Sequence, residues 1–256
     1  MRGERLRAKM KSDQVILNVG LTIYSPAVVE MLGYTDVDDI FLDAEHGSIN
    51  ESQCEDMVRA ADLLDKPVII RVPKNEPHVI LRYLDIGTSG LIIPHVSSRE
   101  DAERAVQAIK YGPEGSRSFA GGRAGGYGVR EKATEYIKRA NREIVVIGLF
   151  EDIHGLANVP DILAVDGLDA LIVGPNDLAF SMGFPAQPWH PEVQRVVDQV
   201  ISACRMAGKP TGLPASDLDQ ARQHIARGCR VITVNLSSLL IGSAQQLARQ
   251  VHEGRA

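Results

Sequence analysis

Apolar residues gather in eight short runs, and between several of them the spacing changes from continuous to three-and-four. The runs are VILNVGLTI (15–23), IFLDAEH (40–46), PVIIRVP (67–73), GLIIPHV (90–96), IVVIGLFE (144–151), LDALIVG (168–174), KPTGLPA (209–215) and RVITVN (230–235). Each has the length of a strand, and most are apolar without alternation, as expected where both sheet faces are covered. In EDMVRAADLLD (55–65) and REDAERAVQAIKY (99–111) apolar residues fall three and four apart with charges opposite, which predicts amphipathic helices. Ser97-Ser98 offers an N-cap to the second, with Glu100 and Asp101 in its first turn. Eight strands alternating with helices predict an α/β fold, a single (β/α)8 TIM barrel over residues 1–256. The rival is a doubly wound open sheet, but VGLTIYSP after the first run is not the glycine-rich phosphate loop that usually accompanies one.

One stretch breaks the rhythm. Residues 111–129, YGPEGSRSFAGGRAGGYGV, form a glycine-rich insertion. Loops longer than about 12–15 residues inside a compact domain are usually functional or disordered. The stretch is therefore expected outside the core. Its amides and Arg123 could receive an anionic group or close as a lid. A flexible surface loop is the equal alternative.

Composition narrows the class. The net charge of −5, from 28 basic and 33 acidic residues, argues against a nucleic-acid protein. Cys54, Cys204 and Cys229 are widely separated and form no CxxC pair, which suits a reducing cytoplasm better than a disulfide framework. The first residues, MRGERLRAKMKSDQ, lack an apolar signal-peptide core, and no run reaches the roughly 18 apolar residues of a membrane span. The expectation is a cytoplasmic enzyme with small-molecule partners, no nucleic acid and no membrane.

Candidate chemistry lies at the ends of the runs. VVIGLF is closed by Glu151, and ALIVG is followed by Gly174-Pro175-Asn176 and Asp177. If the two runs are parallel neighbours, both acids stand on one sheet rim. Two acids on one rim raise each other's pKa unless a cation lies between them, and an oxygen-only pair suits Mg²⁺ or Mn²⁺ better than zinc. The same rim would collect Asp43, Glu45 and His46 after the second run, Arg71 after the third and His95 after the fourth. A metal with Arg71 could neutralise an enolate oxygen while His46 moves a proton. Amides at the start of the helix that opens at Gly174-Pro175-Asn176-Asp177 could hold a small carboxylate beside the metal. Taken singly, Asp177 reads equally as a helix cap, Glu151-Asp152 as a solvated pair and Arg71 as a bridge between loop carboxylates. His95, His154 and Arg117 read as structural. Shared position at the same end of different strands is what separates the first group.

FLDAEHGSIN, PVIIRVP, LDIGTSGLIIPHV, YGPEGSRS, the Glu151 segment and GPNDLAFSMG occur in the order found in the HpcH/HpaI aldolases, metal-dependent class II pyruvate aldolases, and the chain resembles that family from about Asn18 to about Ser238. The resemblance implies a (β/α)8 barrel, a hexamer whose dimers exchange the last helix, and Mg²⁺, Mn²⁺ or Co²⁺ held by Glu151 and Asp177. It implies that Arg71 steadies a pyruvate enolate and that His46, oriented by Asp85, acts on the aldol hydroxyl. Asp43 would lie near a subunit interface beside the site. Gly174, Pro175 and Asn176 would receive the 2-oxo acid carboxylate, with Leu213 over the donor.

One position departs from the pattern. Aldolases of this family carry glutamine two residues before the metal glutamate, and here that residue is Leu149. A branch resembling siderophore-pathway citrate synthases also has an apolar residue there, and GGRAGGYG is similar to its GGR…G loop, whereas GPNDL has the aldolase form. The implied activity is cleavage or formation of 4-hydroxy-2-oxo acids from pyruvate and an aldehyde. Condensation of oxaloacetate with acetyl-CoA on the same scaffold is the alternative, and a non-catalytic barrel that binds 2-oxo acids is the reading from another class.

Overall fold

The eight apolar runs form eight parallel strands in a computed structural model that describes residues 2–253. They are β1 (Ile16–Leu21), β2 (Asp39–Asp43), β3 (Val68–Arg71), β4 (Gly90–Ile93), β5 (Val145–Phe150), β6 (Ala170–Val173), β7 (Gly212–Ala215) and β8 (Val231–Asn235). Helix α1 (Arg2–Met10) precedes the first strand and α2 (Pro26–Gly33) follows it. Helices α3 (Glu51–Leu63), α4 (Pro77–Asp85) and α5 (Arg99–Ile109) fill the next three connections, and α6 (Ala133–Glu143) leads into β5. The rest are α7 (Val159–Leu163), α8 (Pro175–Ser181), α9 (Pro191–Met206), α10 (Leu218–Arg227) and α11 (Leu236–Glu253).

The strands lie side by side in the order β6-β5-β4-β3-β2-β1-β8-β7. The two ends meet where Leu171 N donates to the Pro210 carbonyl at 3.2 Å, so the sheet is a nearly closed barrel with no β6–β7 ladder among the described residues. Successive side chains alternate between two cores. Ile16, Phe41, Ile69, Ile92, Val145, Ile147 and Leu149 fill the barrel. Val19, Leu42, Ile70, Leu91, Val146 and Phe150 pack outward against the helices.

Helix α1 was not visible in the apolar pattern because only Leu6 and Met10, four apart, mark its face. Both join the barrel-filling cluster, so α1 closes the barrel where the strands begin. Each such burial contributes about 1.5–3 kcal/mol. Arg7 fastens it there by donating to Asp169 Oδ2 and to the Ile144 carbonyl, each at 2.7 Å. The cap expected before α5 is Ser98, whose Oγ accepts from Asp101 N at 3.1 Å.

The insertion corrects two expectations. It leaves α5 and must return to the start of β5, and both points lie at the amino ends of the strands, away from the rim where Glu151 stands. Arg123, in a 3-10 turn over Arg123–Gly128, donates to the Ile86 carbonyl and to Asp62 at the ends of α4 and α3. Within one chain it is neither a lid nor an anion holder at the mouth. Nor is the stretch wholly outside the core, since Tyr111 and Arg117 are buried and the Arg117 guanidinium lies 4.6 Å over the Tyr111 ring.

Helix α11 has no buried residue along its described length, and Leu239, Leu240, Ile241, Leu247 and Val251 are exposed on it. No helix among the described residues is long and apolar enough to cross a membrane.

Candidate active site

Parallel strands place their carboxyl ends on one rim, and the polar residues that follow β2, β3, β4, β5 and β6 meet there. Asp43 ends β2 and pairs in register with Arg71 at the end of β3. The two side chains form a two-point ion pair, Arg71 Nε to Asp43 Oδ1 at 3.0 Å and Nη2 to Oδ2 at 2.6 Å. Asp43 Oδ1 also accepts from the backbone of Glu45 at 3.1 Å and of His46 at 3.2 Å, which shapes the loop. Burial alone would raise the Asp43 pKa, but the Arg71 contact and the two amides hold it below the usual carboxylate value. For Arg71 burial works against the charge, and Asp43, Glu45 and Glu151 outweigh it to keep the cation firmly protonated.

Glu45 stands beside this pair, 3.3 Å from Arg71 Nε. His46 Nε2 is 3.8 Å from one of its oxygens and His95 Nε2 is 3.8 Å from the other. Burial raises the Glu45 pKa against the pull of Arg71, His46 and His95. The His46 ring is largely exposed and free to meet a ligand entering the mouth.

Glu151 follows β5 and is 3% exposed. Leu149 pairs with Ile172 and Phe150 with Val173, so the residue next along β5 runs beside Gly174. A side chain there would press on the acid: a Cβ on Gly174 would stand 3.0 Å from Glu151 Oε2 and 3.1 Å from its Cβ. Gly174 precedes α8, whose first turn carries Asp177. Burial raises the Glu151 pKa first; contacts from His95 oppose this, and the charges of Glu45 and Asp177 add to the rise. Among the described residues there is no cluster of three or more His, Cys, Asp or Glu arranged around one ion position. Glu151 and Asp177 thus offer two carboxylates, and further oxygens would come from water or a ligand.

Leu149 faces the barrel interior, 4% exposed, and forms the floor beneath Gly174, where a Cβ would lie 3.5 Å from its Cδ1. Pro175 and Asp177 are half-buried and Asn176 exposed, at the rim.

Two expected members are elsewhere. Leu213 packs in the outer core against the helices, 3% exposed, because the inward parity on β7 falls on Gly212 and Pro214. Pro214, exposed, is the β7 residue that faces the mouth. Asp85 ends α4, just before β4 begins, and lies at the opposite end of the barrel from His46. There it accepts from Arg117 Nη2 at 2.9 Å, so it does not orient His46 of its own chain.

His95, read as structural from the sequence, is a member of the site. Its backbone N donates to Glu151 Oε1 at 2.8 Å and its Nδ1 lies 3.0 Å from the same oxygen. The signal was its place at the carboxyl end of a strand, the same signal that selected the others. His154, by contrast, is solvent-exposed against Asp152.

The chain is similar to known proteins along nearly its whole length. The family model for HpcH/HpaI aldolase/citrate lyase matches residues 21–243. A 5-keto-4-deoxy-D-glucarate aldolase of Shigella dysenteriae serotype 1 (strain Sd197) is 32% identical over 243 residues, 94% of each chain. The structure of an HpcH/HpaI aldolase/citrate lyase family protein from Burkholderia cenocepacia J2315 superposes with a TM-score of 0.92 at 31% identity, over 97% of this chain and 99% of that one. The citrate synthase SbnG superposes with a TM-score of 0.85 at 25% identity, over 98% and 99% of the two chains.

Proposed function

This chain belongs to the HpcH/HpaI aldolase/citrate lyase family, and from that premise we propose that it is a divalent-metal-dependent carbon–carbon lyase. The reaction is cleavage of a 4-hydroxy-2-oxo acid to pyruvate and an aldehyde, or its reverse. The observation that carries this reading is the pair Glu151 and Asp177 on one rim, with the Arg71 cation facing the same space. The donor set fits a hard cation: both groups are carboxylates, and the buried one is pushed toward protonation by burial and like charge, the condition a bound cation would relieve. Mg²⁺ or Mn²⁺ is the preferred ion, with Co²⁺ a further candidate. Bound there, it would act as a Lewis acid on the 2-oxo group.

The remaining roles belong to side chains. Arg71, held rigid by Asp43, stabilises negative charge on the enolate oxygen. His46, exposed at the mouth, moves the proton of the aldol hydroxyl. The Gly174-Pro175-Asn176 turn receives the substrate carboxylate through the Asn176 N–H, since Pro175 has none and Gly174 N donates to the Phe150 carbonyl at 2.9 Å, and Leu149 sets the shape of the donor floor. Asp85 can meet a His46 only across two copies of the chain, since one copy holds them at opposite ends. The exposed apolar face of α11 supports a homo-oligomer, with the hexamer and exchanged last helix of the family as its form.

Leu149 favours a second reading, condensation of oxaloacetate with acetyl-CoA, as the likeness to a citrate synthase also suggests. Proton exchange separates them. With Mn²⁺ or Mg²⁺ present, the methyl protons of pyruvate should exchange with deuterated water, and 5-keto-4-deoxy-D-glucarate is the first aldol substrate to test. Turnover of oxaloacetate with acetyl-CoA without pyruvate exchange would favour the condensing enzyme. Binding of 2-oxo acids with neither would leave a silent barrel.

A further inference from the structure

His95 follows β4 with φ +53°, in the left-handed region that a side chain with a Cβ rarely adopts. Backbone strain of this kind persists where the surroundings impose it, and it clusters at functional sites. Here it falls on the residue that meets one oxygen of Glu151 twice. The backbone N donates to Oε1 at 2.8 Å, and ring Nδ1 lies 3.0 Å from the same atom. The amide thus engages Oε1 through a hydrogen bond, and the ring lies against the same oxygen as an ion-pair contact. The other oxygen, Oε2, lies toward Gly174, the residue before α8, whose first turn carries Asp177.

We propose that His95 is a positioning residue that fixes the Glu151 carboxylate by its Oε1, so that Oε2 is the oxygen presented to a divalent cation shared with Asp177. The inference rests on the metal reading given above. It goes beyond it by assigning to this chain's own histidine the orientation of a ligand. Outer partners of metal ligands of this type govern affinity by about 10–100-fold. The ring is 69% exposed, so it contributes little to packing and its removal isolates its contact with Glu151.

His95→Gly is the informative variant, because glycine accepts positive φ and retains the backbone donor while losing only the ring. Mn²⁺ binding, read by titration calorimetry and by the electron paramagnetic resonance of the free ion, should weaken by about 10–100-fold in H95G. His95→Asn, which tolerates the left-handed backbone and carries an N–H donor, should recover part of the loss. Thermal unfolding of H95G without metal should be no earlier than that of the unsubstituted protein, which removes misfolding as a cause. Equal Mn²⁺ affinity in H95G and the unsubstituted protein would overturn the inference and leave the metal site standing. Failure of the unsubstituted protein itself to bind Mn²⁺ would remove both.

Discussion

Arg71 and Asp43 occupy paired positions on neighbouring strands and meet through two hydrogen bonds, with both side chains mostly withdrawn from water. A cation held in this way cannot swing aside when a negative charge develops in front of it. Removing the acid takes both hydrogen bonds from Arg71 and leaves it buried with Glu45, 3.3 Å from its Nε, as its remaining ion-pair partner. Asp43→Ala should therefore cost stability in urea unfolding, up to about 3–5 kcal/mol. Asp43→Asn, which keeps one acceptor, should cost less and should reduce kcat more than it raises KM. An Asp43→Ala protein of unchanged stability would mean that Arg71 does not depend on this contact.

Glu151→Gln and Asp177→Asn each remove one charge from the pair of acids on the rim. Either change should lower Mn²⁺ affinity by about two orders of magnitude or more and abolish metal-dependent proton exchange of pyruvate. Calorimetry and deuterium uptake followed by proton resonance give the two readouts. Full exchange in either variant would remove these residues from the reaction.

Leu149→Gln adds an amide to an apolar floor beneath Gly174. Metal affinity should stay roughly constant while the ratio of rates on pyruvate and oxaloacetate changes. A large loss of metal binding would show that the floor supports the ligands and not the donor alone.

Asp39 gives a pH prediction far from the mouth. It is fully buried beside Asn18, its register partner on β1, and each residue has a buried oxygen without a hydrogen-bond partner. Burial raises its pKa from 3.8 to about 8, with the neighbouring Asp38 adding to the rise. Between those two values the folded chain holds this proton and the unfolded chain releases it. Stability from this group is thus complete below the lower value and is lost as pH rises toward the upper one. The slope is at most about 1.4 kcal/mol per pH unit. Asp39→Asn should remove this dependence, so its advantage in urea unfolding should grow from pH 5 to pH 8.

The exposed apolar residues of α11 predict assembly. Leu240→Glu with Leu247→Glu should lower the mass seen by light scattering while leaving the circular dichroism of the barrel intact. An unchanged mass would place the subunit contacts elsewhere.

The strands and the rim were legible because a buried strand writes itself as an apolar run, and a parallel barrel collects whatever follows each run. What was not legible depended on partners remote in sequence. His95 is 56 residues from Glu151, and Asp85 is 32 from the Arg117 that holds it. The parity of β7 was hidden because GLPA has no alternation of apolar and polar residues to fix which side faces inward. Glycine content announced that 111–129 is irregular, yet it says nothing about which end of a barrel an irregular segment covers. Only the alternation of strand and helix decides that.

The seam between β6 and β7 has a further bearing on how the protein breathes. Staves joined by a full ladder separate reluctantly, whereas these two meet through the Leu171–Pro210 bond. Transient gaping should begin there and appear as early amide deuteration of β7 and the segment before it. Both acids of the rim lie on the β5–β6 side of that crack, so the wall bearing Pro214 would move off while they travel as one body.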